Sequence, residues 1–153
     1  MEYEKNKRYL LIIPCSKNKK ELFDAPALKL YDGPFYRIIR KYMQENIDIL
    51  ILSAKYGLIN SPELISPYDQ KMTKTRAEEL SHEVMEKLEC VLHNNHYDEI
   101  FITLGKIYMI ALGEAENILD KHNVYWGSGQ IGERLHELKT WLTAIKAEEG
   151  IYS

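Results

Sequence analysis

The sequence is short of several things, and each shortage excludes a class of protein. It has two cysteines, Cys15 and Cys90. That is too few for a disulfide framework or a zinc knuckle. No apolar run approaches the ~20 residues of a membrane span, so no membrane partner is expected. The opening MEYEKNKRYLLIIPC has a basic stretch before a short apolar run. That run is too short for a signal h-region and no small-residue cleavage site follows it, so a cytoplasmic location is the expectation. Basic residues are outnumbered, 20 Lys and Arg against 23 Asp and Glu, giving a formal charge of -3. A broadly cationic nucleic-acid coat is thereby excluded, while a local basic groove is not. The histidines, His82, His93, His96, His122 and His136, show no metal-ligand spacing. His93 and His96 stand at i, i+3, but beside Asn94 and Asn95 they read as a polar helix end. No metal and no cofactor is expected. There is no internal repeat, low-complexity tract or linker, and oligomeric state is not legible.

What is present is ordinary globular composition, 45% hydrophobic and 28% charged over 153 residues. That suits one domain, residues 1–153, with a single core region. Three short runs, YLLIIP at 9–14, IDILILS at 47–53 and EIFITLG at 99–105, are apolar on both alternating faces. Strands buried on both sides in a parallel sheet read this way. Between them lie amphipathic helices. Residues 34–46 put Phe35, Ile38, Ile39 and Tyr42 on one stripe after Pro34. Residues 73–93 carry Leu80, Val84, Leu88, Val91 and Leu92, with Thr73 or Thr75 as cap and Cys90 as a core residue. A shorter helix is expected from Lys106 to about Leu119 and a brief strand at Asn123–Tyr125. A last helix carries Ile131, Leu135, Leu138, Trp141, Leu142 and Ile145. This alternation predicts an α/β fold, a three-layer α/β/α sandwich with a mainly parallel central sheet. Two irregular stretches remain, 15–32 and 54–72, and long ordered loops are often functional.

In an open α/β sheet, ligands sit beyond the carboxyl ends of the strands. The first strand is followed by Cys15-Ser16-Lys17-Asn18-Lys19-Lys20, the second by Ser53-Ala54-Lys55-Tyr56-Gly57, the third by Gly105-Lys106. Each end joins a small or hydroxyl residue to a lysine. Gathered at one edge, Ser16, Lys17, Lys19, Ser53, Lys55 and Gly105 would cradle an anion, most simply a phosphate. The alternative is that these lysines are solvated loop charges. Cys15, beside three lysines, is either a thiolate nucleophile or a small residue closing the strand. In SPELISPYDQK, prolines stiffen a loop that presents Tyr68 and Asp69. Asp69 is a general base, a cation stabiliser or a turn cap, and Tyr68 a stacking platform for a base, as is Tyr56. Tyr31, near Arg37 in LYDGPFYR, is a candidate substrate-binding aromatic, the alternative being a wall or core residue. Gly127-Ser128-Gly129-Gln130-Ile131-Gly132 has the letters of a dinucleotide fingerprint but no room for a βαβ unit. It reads as a glycine turn whose amides open a helix N-terminus toward an anion.

Taken in order, PCSKNKK, APALKLYDGPFYR, ILSAKYGLINSPELISPYDQKMT and GSGQIGERLHEL resemble an uncharacterised bacterial, archaeal and phage domain family. A more distant resemblance is to the lyase domain of archaeosine synthase and to the peroxide-stress-protein family. Pro14, Cys15 and Lys19 match their Pro-Cys-x3-Lys opening. Lys20 replaces the proline that follows, and with Tyr31 aligned the serine and histidine fall at Pro34 and Arg37. These relatives look similar to uracil-DNA-glycosylase-like folds. The resemblance implies such a fold, a nucleotide or nucleic-acid partner, and an enzyme acting at an N-glycosidic bond or modified base. A non-catalytic nucleotide-binding module is the alternative.

Overall fold

The structure is a computed structural model and describes residues 7–16, 18–19 and 24–152, with Asn18, Lys19 and 149–152 as backbone only. Five strands form the central sheet: β1 (Tyr9–Pro14), β2 (Ile47–Ser53), β3 (Gly57–Asn60), β4 (Glu99–Ile102) and β5 (Val124–Trp126). Their order is β3-β2-β1-β4-β5. β1 runs parallel to both neighbours, with Tyr9 opposite Ile47 on one side and Glu99 on the other. β5 is parallel to β4, and β3 alone is antiparallel. The sheet is therefore mixed.

The doubly apolar strand runs are explained by what covers them. Leu10 to Ile13 are fully buried. Tyr9, Leu11 and Ile13 face helices α1 (Pro34–Tyr42) and α4 (Ile131–Tyr152), through Phe35, Tyr36, Ile39, Leu138, Trp141 and Leu142. Leu10 and Ile12 face the other way, onto Ala77, Leu80, Val84 and Leu88 of helix α2 (Lys74–Asn94). Period-2 alternation thus feeds two cores, one on each side of the sheet. The Thr73 hydroxyl caps α2, accepting from the Arg76 amide at 3.1 Å. Arg76 in turn donates from Nε to the Ala54 carbonyl at 2.6 Å, tying this helix to the end of β2.

Four expectations need correction. β3 lies inside the stretch read as irregular. Its four residues are too short to show a pattern, and the turn before it is made by Ser53, whose Oγ accepts from the amides of Lys55 (3.2 Å) and Tyr56 (3.1 Å). Gly57, at φ +76°, completes that turn. The helix expected to run to Leu119 stops as α3 (Lys106–Ile110). The chain then tightens into a 3-10 turn at Gly113–Ala115, where the Glu114 amide donates to Ser81 Oγ at 3.1 Å. Cys90 is exposed rather than core. Two residues past Leu88 it has turned about 200° from the buried line. Residues 15–32 and 61–71 are also less irregular than expected. Asn18–Lys19 pairs with Tyr31–Asp32, and Ala25–Pro26 with Leu64–Ile65.

Candidate functional site

The chain leaves β1 through α1 to β2 on one side, and reaches β4 on the other side through α2. The direction of winding therefore reverses between β1 and β4, and the carboxyl ends of those two strands must part. A cavity of about 220 Å³ lies at that point. Its floor is Pro14, Cys15 and Ser16 after β1 and Gly105 after β4. Phe35 and Tyr36 from the first turn of α1, Tyr108 of α3, and Ile131 and Arg134 of α4 form its walls. Gly33, at φ +141°, allows the turn that delivers Pro34 to the start of α1.

The walls are mostly apolar and their polar atoms are placed by hydrogen bonds. Tyr36 donates its hydroxyl to the Pro14 carbonyl at 2.6 Å. Ser16 Oγ accepts from the Asp32 amide at 3.0 Å. Cys15 Sγ lies 3.2 Å from the Tyr108 hydroxyl. Burial, then the charge of a nearby Cys15 thiolate, pushes the Tyr108 phenol well above its ordinary range. Tyr108 therefore keeps its proton at neutral pH, and either group can donate in its contact with Cys15. Arg134 spreads its guanidinium over the Phe35 ring, 5.4 Å from the centroid. Its Nη1 is buried and has no hydrogen-bond partner.

Behind the cavity wall lies a second polar group. The Tyr68 hydroxyl lies 2.8 Å from Ser53 Oγ and 2.6 Å from the Tyr31 hydroxyl. The Tyr68 ring meets those of Tyr31 and Tyr56 edge-on. Burial pushes the Tyr31 phenol up to about 12. Burial, then the charge of Cys15, raises Tyr68 further.

The structure brings together some of the residues singled out in the sequence. Cys15, Ser16 and Gly105 share the cavity. Ser53, Tyr31 and Tyr68 share the adjoining hydroxyl cluster, and Tyr56 joins it by its ring. Lys55 is exposed, its ammonium 5.2 Å from the Tyr56 ring centroid and outside the cavity lining. Asp69 is also exposed and outside the lining, because Tyr68 is the residue that the proline-stiffened loop turns inward. Lys17 lies outside the described residues, and Lys19 is described by its backbone, paired with Tyr31. In the glycine turn before α4, carboxylates of that helix take two of the amides, Glu133 accepting from the Gln130 amide and Glu137 from the Ser128 amide, both at 2.9 Å. No group of histidines, cysteines and carboxylates suited to a metal ion occurs among the described residues. No helix among them is long and apolar enough to cross a membrane.

Sequence reasoning missed Arg134 and Tyr108. The signal for Arg134 was there: it falls three residues after Ile131 and four before Leu138, on the apolar stripe of α4. A charge on a buried stripe demands a reason.

A family model matches residues 10–140. The chain belongs to DUF6884, a family of unknown function. The DUF6884 match spans every residue that lines the cavity, from Pro14 to Arg134. No curated protein matches the sequence. The fold is similar to that of a solved crystal structure, AF0587, a protein of unknown function, with a TM-score of 0.56 and 14% identity. The similarity covers 89% of this chain and 44% of that one. This DUF6884 chain thus spans under half the length of the structure it matches, and at that identity the likeness concerns the fold.

Proposed function

We propose that the cavity between β1 and β4 binds a nucleobase or nucleotide, and that Cys15 acts chemically on it. The observation that carries this reading is the position of Cys15: a thiol on the floor of a cavity at the switch point of an α/β sheet, facing a phenol that holds its proton. Aromatic and proline walls suit a planar ring. A volume of about 220 Å³ is below the roughly 300–1,000 Å³ of pockets for drug-sized ligands. It admits one ring system or one phosphate group and leaves the rest of a ligand outside. The motif resemblance to base-modifying lyases supports a nucleobase, and a base in nucleic acid would have to leave its stack to enter. The Tyr108 hydroxyl stands within hydrogen-bond distance of Cys15 Sγ. Asp69 is too exposed to serve this site, and any role for it lies with parts of the ligand beyond the mouth.

One observation favours a second reading, a binding module without turnover. Among the described residues, no histidine or carboxylate lines the cavity to take the thiol proton. The two readings part in one experiment. Free nucleotides and single-stranded oligonucleotides are incubated with the protein, released bases are followed by mass spectrometry, and binding is followed by calorimetry. Cys15→Ala should abolish release and leave binding within about threefold. Binding by the unaltered protein with no product selects the module, and no binding of any base-containing ligand removes both. In a Cys90→Ser background, which silences the exposed thiol, Tyr108→Phe should slow alkylation of Cys15 by iodoacetamide at pH 7.

A further inference from the structure

Among the described side chains, the cation that lines the cavity is Arg134, and Lys55 lies outside the lining. Every other arginine with a described side chain has a partner. Arg8 meets Asp48 at 2.7 Å, Arg40 and Arg37 meet Asp32 at 3.3 and 4.0 Å, and Arg76 meets Glu79 at 3.4 Å and the carbonyls of Ala54 and Lys55. Arg134 has no ion pair among the described residues, and its Nη1 is shut off from solvent without an acceptor. Its neighbours on α4, Glu133 and Glu137, are occupied with the backbone amides of the preceding turn. A guanidinium cannot shed its charge at any accessible pH, so it cannot escape the cost of burial by deprotonating. A buried guanidinium nitrogen calls for an acceptor, and the half-buried Arg134 side chain also lines the cavity.

Two further features set the identity of the missing partner. The guanidinium lies over the Phe35 ring, 5.4 Å from its centroid, and a guanidinium carries paired N–H donors of the kind that match two oxygens of one oxyanion. Gly105 leaves space beside it: a Cβ there would stand 3.9 Å from Arg134 Nη2. Across the cavity, the first turn of α1 has no side-chain cap, and Phe35 and Tyr36 of that turn are in the lining. We propose that Arg134 is the oxyanion-recognising residue of this cavity, and that its ligand carries a phosphate or carboxylate group held against the Arg134 fork, with Cys15 within reach of the atoms next to it. This rests on the reading that the cavity is a ligand site.

The test uses thermal unfolding and calorimetry on the full chain with four kinds of probe: inorganic phosphate, acetate, nucleoside 5′-monophosphates and the uncharged nucleosides. Phosphate or the monophosphates should stabilise the protein, with binding that weakens as salt rises, and Arg134→Met should lose at least tenfold in affinity. Arg134→Lys should recover part of that loss. Without ligand, Arg134→Met should unfold at the temperature of the parent or above it, because an unpaired cation has been removed. A structural arginine would behave oppositely. Stabilisation by acetate and not phosphate would mark the oxyanion as a carboxylate. Equal binding of phosphate and monophosphates by Arg134→Met, or a several-degree fall in its melting temperature with Arg134→Lys equally affected, would overturn the proposal. Binding of uncharged nucleosides alone, unchanged in both variants, would overturn it while leaving the nucleobase reading intact. No binding of any probe to the parent would remove both.

Discussion

The two ends of the central sheet treat charge in opposite ways. At the amino end, donors meet carboxylates. Arg8 reaches Asp48 from its guanidinium at 2.7 Å and Asp98 from its amide at 2.9 Å. Tyr97 donates to the other oxygen of Asp48 at 2.7 Å, and Trp141 Nε1 donates to Glu99 at 2.7 Å. At the carboxyl end, a guanidinium nitrogen is buried without an acceptor beside a cavity. Unpartnered buried oxygens also occur, at Gln44, Asn46 and Thr103. Those are neutral amide and hydroxyl oxygens, whose desolvation costs far less than that of a cation. The amino end is built for stability, and the carboxyl end leaves one guanidinium nitrogen without a protein acceptor. Conformational stability and ligand affinity should therefore respond to different substitutions.

The largest effect should come from the amino end. Trp141 is 6% exposed, packs on Tyr9 and Phe101 with ring centroids 5.8 and 5.2 Å apart, and spends its one donor on Glu99. Trp141→Ala should cost about 3–5 kcal/mol, from lost burial plus the cavity left behind. At roughly 2–4 °C per kcal/mol for a chain of this size, that is a fall of about 6 °C or more in thermal unfolding. The affinity of the folded fraction for phosphate should stay within about twofold. A loss of affinity as large as that of Arg134→Met would show that the two ends are one cooperative unit and break the comparison.

A smaller effect is expected where the carboxyl end does contribute to stability. Tyr36 is 1% exposed and its hydroxyl satisfies the Pro14 carbonyl at the cavity floor. Tyr36→Phe keeps the ring and orphans that carbonyl, which should cost about 1–3 kcal/mol by denaturant unfolding. An unchanged midpoint would mean that water in the cavity replaces the phenol, and the floor would then be wetter than its apolar walls suggest.

How much of this was legible in the sequence depends on whether the signal was periodic. β1, β2 and β4 were visible because each is buried on both faces, and the sheet edge that gathers Cys15, Ser16 and Gly105 followed from their being parallel neighbours. β3 was not visible, since four residues joined by a hydroxyl-braced turn carry no period. Lysines after strands drew attention as charges, yet sequence does not say whether Lys55 lies over Tyr56 in solvent or points inward. Arg134 was overlooked for the converse reason: in a helix rich in charged residues it passed as solvated, although its place on the Ile131–Leu138 stripe marked it as inward. Tyr31 and Tyr68 were picked singly. Their shared hydrogen bond joins residues 37 positions apart, which no local pattern records.

The smallest effect lies on the outer layer, where an exposed pair calibrates how little charge contributes when water competes. His82 Nδ1 lies 3.0 Å from Glu114 and Nε2 lies 3.7 Å from Glu86, joining α2 to the 3-10 turn. The hydrogen bond with Glu114, then the charge of Glu86, raises the histidine above its ordinary range. A raised folded-state pKa means that the folded chain binds the proton more tightly than the unfolded chain. The added stability is full below the unfolded value, about 6.5, and disappears as pH rises through the folded one. His82→Ala should therefore lower the unfolding temperature slightly at pH 5.5 and leave it unchanged at pH 9, with the gap at pH 5.5 shrinking in 0.5 M salt. An equal gap at both pH values would assign the contact to packing instead of charge. A gap at pH 5.5 as large as the loss in Tyr36→Phe would mean that exposed carboxylates hold a cation as firmly as buried groups hold a phenol, and the unpaired state of Arg134 would then carry far less weight as evidence for a ligand.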